Sequence, residues 1–117
     1  MAASVSTIDI AGTPEEVFAG LPRDIPYYFT FDIDCLAPEI AHDTGTPLAG
    51  GIRYYDALEL IDYATHNFDF IGFDLVEVAG QYAERTNATG SVAASIAQRL
   101  LHAKCEYAPL TSYLTSH

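Results

Sequence analysis

The sequence predicts an α/β fold, a parallel sheet with helical crossovers. Three observations carry that prediction. Two continuous apolar runs, residues 26–34 (PYYFTFDID) and 68–78 (FDFIGFDLVEV), read as strands buried on both faces. Between them Ala57, Leu58, Leu60, Ile61 and Ala64 form a helical stripe over residues 55–66. The chain as a whole alternates strand, helix, strand, helix, strand, helix, the order that helical crossovers between parallel strands produce. A length of 117 residues suits one domain, residues 1–117, and is too short for two.

In order along the chain, residues 4–10 (SVSTIDI) have β-branched, strand-like content. Thr13-Pro14-Glu15-Glu16 reads as a helix start. Thr13 can cap, Pro14 suits the first helical position, and Glu16 occupies the capping-box position. Gly20 and Pro22 end that helix early. The first apolar strand follows, then a loop from Cys35 to about Ile52 with two prolines, three glycines and no helical period. A loop of this length is either disordered or functional. After the 55–66 helix and the second strand, residues 79–90 read as a polar loop. Residues 91–104 read as a helix with Val92, Ile96, Ala97, Leu100 and Leu101 on its inner side.

Composition excludes several function classes. Asp and Glu total 16 against 5 Lys and Arg, for a formal net charge of −11. Nucleic acid needs a basic face to neutralise phosphates, and an anionic membrane surface needs the same, so both are excluded as partners. The charge fits a soluble protein, a cation binder, or a member of an acidic, salt-adapted proteome. Cys35 and Cys105 form neither a disulfide framework nor a zinc pattern. No apolar run approaches the roughly 20 residues of a membrane span, and the first residues carry no basic signal-peptide region. A cytoplasmic protein is expected.

In parallel sheets ligands bind beyond the C-terminal ends of the strands. Asp32 and Asp34 lie there, two residues apart. Period-two geometry puts both on one side of the sheet, about 6–7 Å apart. Carboxylates so placed repel each other unless a cation lies between them, and hard divalent ions such as Mn or Mg prefer oxygen donors. The alternative is that one Asp caps the loop backbone while the other faces solvent. Glu77, at the end of the second strand, reads either as an anchor for a cationic group or as a solvated charge. Asp74, three residues earlier, faces the other side and reads as structural. Thr44-Gly45-Thr46-Pro47 and Gly50-Gly51 complete the loop. The threonine hydroxyls can orient neighbouring carboxylates, and the glycines allow close backbone approach; an ordinary tight turn explains them equally well. His42, in the same loop, is a further candidate ligand. His66 ends a helix, where a cation is favoured without any function. Asn87-Ala88-Thr89 matches a glycosylation sequon, which carries no meaning in a cytoplasmic protein.

The segments Tyr28-Phe29-Thr30-Phe31-Asp32-Ile33-Asp34-Cys35-Leu36, Thr44-Gly45-Thr46-Pro47 with Gly50-Gly51, and Gly72-Phe73-Asp74-Leu75-Val76-Glu77-Val78 together resemble the ureohydrolase family of arginases and agmatinases. FDIDCL with VEVA is more similar to agmatinases. The resemblance implies a three-layer α/β/α fold, of which this chain is a part. It implies hydrolysis of a guanidinium small molecule to urea by two Mn ions that share a bridging hydroxide. By motif position it implies Asp32 as the carboxylate bridging both metals, Asp34 as a ligand of one, Glu77 as the group holding the guanidinium, and Thr46 as the residue orienting Glu77. Four of the family's six ligands belong to a Gly-Gly-Asp-His and an Asp-Ala-His-x-Asp segment, and the sequence contains neither. Ala37, His42-Asp43 and Ala83 stand where the family has Asp, a Pro-Gly pair and Asp. The resulting expectation is a truncated C-terminal third of a ureohydrolase that binds metal weakly and is inactive alone. The alternative is a non-catalytic interaction module built on the same core. An open strand edge predicts a homo-oligomer, most simply a dimer.

Overall fold

A computed structural model describes residues 12–82 and 87–107; the strand expected at residues 4–10 lies outside them. The described elements are α1 (Pro14–Val17), β1 (Pro26–Asp32), α2 (Tyr54–Asn67), β2 (Asp69–Val76) and α3 (Ala88–Tyr107), with 3₁₀ turns at Ile33–Cys35 and Gly80–Tyr82.

The short α1 starts as its sequence dictates. Thr13 Oγ1 accepts from the Glu16 amide, and Glu16 Oε2 accepts from the Thr13 amide at 2.9 Å, a complete capping box. Phe18 stacks on Tyr63 and tilts against Phe68. Arg23 then fastens the connection to the end of α2, donating to Asn67 Oδ1 at 2.8 Å and to the Tyr63 hydroxyl at 2.9 Å.

β1 and β2 pair in parallel, as expected of two apolar runs joined by one helix. The register runs from Pro26 opposite Asp69 to Asp32 opposite Val76, with one shift between Tyr27 and Tyr28. Tyr28 thereby faces Gly72, where a Cβ would sit 3.0 Å from the tyrosine ring.

The expectation of strands buried on both faces is corrected. β1 alternates: Tyr27 and Phe29 are half-buried and Phe31 is buried, while Tyr28, Thr30 and Asp32 are exposed. Both long helices cover the same face. Ala57 and Ile61 of α2 and Ala93, Ile96 and Leu100 of α3 enclose Phe31, Ile33, Leu36 and Ala41 in one core. The bidentate Arg99–Asp62 pair locks α3 to α2. The opposite face leaves Tyr28 58% and Ile71 64% exposed, so the continuous apolar pattern records side chains on an uncovered face as well as a covered one. The described residues thus supply the sheet and one helical layer.

α3 starts three residues before the expected position, because the Asn87 side chain caps it, accepting from the Gly90 amide at 2.9 Å. Its inner stripe is Ala93, Ile96, Leu100 and Ala103, whereas Leu101, expected inside, is 54% exposed. Among the described residues, no helix is long and apolar enough to cross a membrane.

Candidate functional site

The C-terminal ends of β1 and β2 carry the candidate residues. β1 stops at Asp32, two residues short of the predicted end, and Asp34 sits in the 3₁₀ turn that follows. Asp32 itself makes the turn: its Oδ1 accepts from the Asp34 amide at 2.9 Å, so a local side-chain bond displaces the next ladder position. The two carboxylates are therefore neighbours through a turn and not through strand periodicity. Asp32 caps the turn through Oδ1, as one part of the alternative reading has it, whereas Asp34 is half-buried and does not simply face solvent.

Asp34 is held by the loop that follows. The Thr46 hydroxyl donates to Asp34 Oδ2, while Asp34 Oδ1 is buried with no hydrogen-bond partner among the described residues. Among the described residues the single hydrogen of the Thr46 hydroxyl goes to Asp34. Glu77 lies just beyond β2 with φ +68°, a left-handed backbone that non-glycine residues seldom adopt. Its carboxylate leans over the same loop: a Cβ built on Gly45 would sit 3.7 Å from Glu77 Oε2. Asp32, Asp34, Thr46 and Glu77 thus gather at one rim.

The loop is ordered by closing on itself. The Ile52 amide donates to the Cys35 carbonyl at 2.8 Å, and the Ala37 amide donates to the Ile52 carbonyl at 2.9 Å, forming a parallel bridge of Leu36 with Ile52. Gly51 permits this, since a Cβ there would lie 2.5 Å from the Leu36 carbonyl group. Gly50 turns the chain with φ +80°.

Asp43, not among the residues singled out by spacing, proves to be a tether. It is 1% exposed; its amide donates to Thr89 Oγ1 at 3.0 Å, and its carbonyl accepts from the Ala79 amide at 2.9 Å. Thr89 is fully buried in the first turn of α3. The loop is thereby pinned both to the residues after Glu77 and to α3. His42 is exposed and approaches Asp43 Oδ1 at 3.4 Å. Asp43 and Thr89 are 46 residues apart, and no local sequence signal joins them. Burial, and then the charge of Asp32, push the Cys35 thiol up to about 12, which keeps it protonated and unreactive.

Chemically, a half-buried carboxylate with one oxygen fixed and the other unpartnered suits a hard cation at the unpartnered oxygen. Among the described residues, no group of three or more His, Cys, Asp or Glu side chains is placed to hold a metal ion. The carboxylates at this rim make at most part of a divalent ion's shell.

Comparison with known proteins adds a second line of information. The sequence profile of the Arginase family matches residues 1–103. An agmatinase of Edwardsiella ictaluri is 42% identical over 91 residues, covering 75% of this chain and 29% of the relative. Among solved structures, a hypothetical agmatinase from Burkholderia thailandensis superposes with a TM-score of 0.68 at 39% identity, over 77% of this chain and 28% of that one. Proclavaminate amidino hydrolase from Streptomyces clavuligerus gives a TM-score of 0.70 at 30% identity, over 80% and 30%. The chain spans less than a third of the length of these relatives.

Proposed function

Because the chain belongs to the arginase family, we propose that it carries the strand-end part of a Mn-dependent site for hydrolysis of a guanidinium compound, of the agmatinase kind. The observation that carries this reading is the state of Asp34: one oxygen is held by Thr46, and the other is buried and without a partner. A buried, unpaired carboxylate oxygen is costly, and a cation relieves that cost.

In this reading Asp34 and Asp32 donate to the metal. Thr46 fixes the Asp34 carboxylate so that its other oxygen faces the ion. Glu77, over the same loop, takes the guanidinium of the substrate by charge-assisted hydrogen bonds. Manganese, when bound, supplies the Lewis acidity that activates water for attack on the guanidinium carbon. Two carboxylates hold a hard ion only loosely and leave most of its water in place. The 117 residues by themselves are therefore expected to bind Mn weakly and to release no urea.

Calorimetric titration of Mn(II) into the wild-type chain and into Asp34→Asn tests the assignment. Weak binding that is lost in the variant is expected; equal heats for both would overturn it. Urea released from agmatine or arginine by the chain alone, and abolished by Asp32→Ala, would overturn the expectation of inactivity.

A second reading, an interaction module forming a homo-oligomer, rests on the uncovered sheet face that exposes Tyr28 and Ile71.

A further inference from the structure

We propose that Thr89 is a positioning residue for the Asp34 carboxylate, acting from α3 through Asp43 and Thr46; the inference rests on the metal reading of Asp34 given above. Thr89 is fully buried, and its hydroxyl oxygen receives the Asp43 amide at 3.0 Å. Three residues after Asp43, Thr46 donates to Asp34 Oδ2. The stretch that leads to Thr46 is held at its start, while Gly45 and Thr46 themselves are exposed. Thr44 is 5% exposed, and the Asp43 carbonyl is held by the Ala79 amide at 2.9 Å. A buried hydroxyl at the first turn of a 20-residue helix is thus one of two anchors of the segment from which Thr46 reaches Asp34.

The tether has two anchors of different kinds. The one at Ala79 is backbone to backbone and survives any substitution of side chains. The one at Thr89 depends on a single hydroxyl oxygen and disappears when that oxygen does. Asp43 has few other ways to hold its position: among the described residues its Oδ2 is buried without a partner and its Oδ1 has only the exposed His42 at 3.4 Å. Loss of the Thr89 oxygen leaves the Asp43 amide buried and unsatisfied, and the chain relieves this by shifting the loop that carries Thr46. Asp34 Oδ2 then loses its fixed donor and the cation-facing oxygen loses its aim. Groups that orient a metal ligand change affinity by about 10–100-fold when removed, and one further step away the effect is expected at the bottom of that range or below it.

The test uses the full chain with Mn(II) as the probe. Thr89→Val, which keeps the shape without the acceptor, is expected to weaken Mn binding about threefold to tenfold. Thr89→Ser, which restores the acceptor, is expected to bind within about twofold of wild type. Thr46→Val combined with Thr89→Val is expected to bind no more weakly than Thr46→Val alone, because Thr89 acts through Thr46. Wild-type affinity in Thr89→Val would overturn the proposal. So would equal weakening by valine and serine, or an additive loss in the double variant. If wild type and Asp34→Asn bind Mn identically, the metal reading itself has failed. The ¹³C signal of the Asp34 carboxyl in the metal-free protein then decides the positioning role. A displacement of that signal by both Thr46→Val and Thr89→Val, with Thr89→Ser at the wild-type position, supports it, and an unmoved signal in Thr89→Val overturns it.

Discussion

The hydroxyl of Thr46 donates its hydrogen to Oδ2 of Asp34, across twelve residues of chain. That bond joins the loop after β1 to the turn that ends β1, and it singles out one oxygen of the carboxylate. Thr46→Val should therefore reduce Mn(II) affinity about tenfold, since the donor orients a ligand and is not one itself. Titration calorimetry reads the change, and Thr46→Ser should restore most of the affinity.

Gly51 and Gly50 separate two different glycine requirements. At Gly51 an added Cβ would meet the Leu36 carbonyl group at 2.5 Å and the Ala37 nitrogen at 2.6 Å, all of them backbone atoms of the bridge. Gly51→Ala should cost about 1–3 kcal/mol by forcing that bridge apart. Gly50 has open space but φ +80°, so Gly50→Ala should cost about 1–2 kcal/mol through backbone strain alone. Urea denaturation checks both, and only Gly51→Ala should also weaken Mn binding, because only it displaces the loop.

Cys35 gives a pH dependence of definite sign. Its thiol ionises at an ordinary value of 9.0 when exposed, and burial and then Asp32 raise this to about 12 in the folded chain. Between those values the unfolded chain binds fewer protons at this site than the folded one, so stability falls as pH rises through the window. The urea midpoint should drop from pH 9 to pH 11 more steeply in wild type than in Cys35→Ala. Iodoacetamide at pH 8 should modify the exposed Cys105 and spare Cys35.

How much of this was legible beforehand follows from the range of the interactions. The pairing of β1 with β2 and the position of α2 follow from apolar runs and a helical stripe, signals contained within a few neighbouring residues. The end of β1 was misplaced because Asp32 captures the Asp34 amide, and a side chain competing locally with the sheet leaves no trace in hydrophobic periodicity. The inner stripe of α3 was misassigned at Leu101 because several phases of an apolar-rich helix are plausible until its partner is known. The Asp43–Thr89 tether links residues 46 apart through a backbone amide, and no pattern of residue types reports on that.

The uncovered sheet face and the net charge of −11 act in opposite directions on association. Tyr28 and Ile71 favour pairing with a second chain, and the carboxylates oppose it. Salt screens the second term over about 10 Å at 0.1 M and leaves the first in place. Light scattering should show a shift from monomer to dimer as NaCl rises. A monodisperse monomer at every salt concentration would remove the expectation of a homo-oligomer.

Glu77 is the one described non-glycine residue with a positive φ, at +68°. A side chain in that conformation costs about 1–2 kcal/mol, and glycine escapes most of the cost. Glu77→Gly should therefore raise the urea midpoint while removing the carboxylate proposed to hold the guanidinium. Variant libraries sorted only for resistance to denaturant should drift toward glycine at position 77, and libraries sorted for turnover in a complete enzyme should keep glutamate. The two selections would diverge at a single codon, which makes that position a direct gauge of how much conformational ease the proposed guanidinium contact costs.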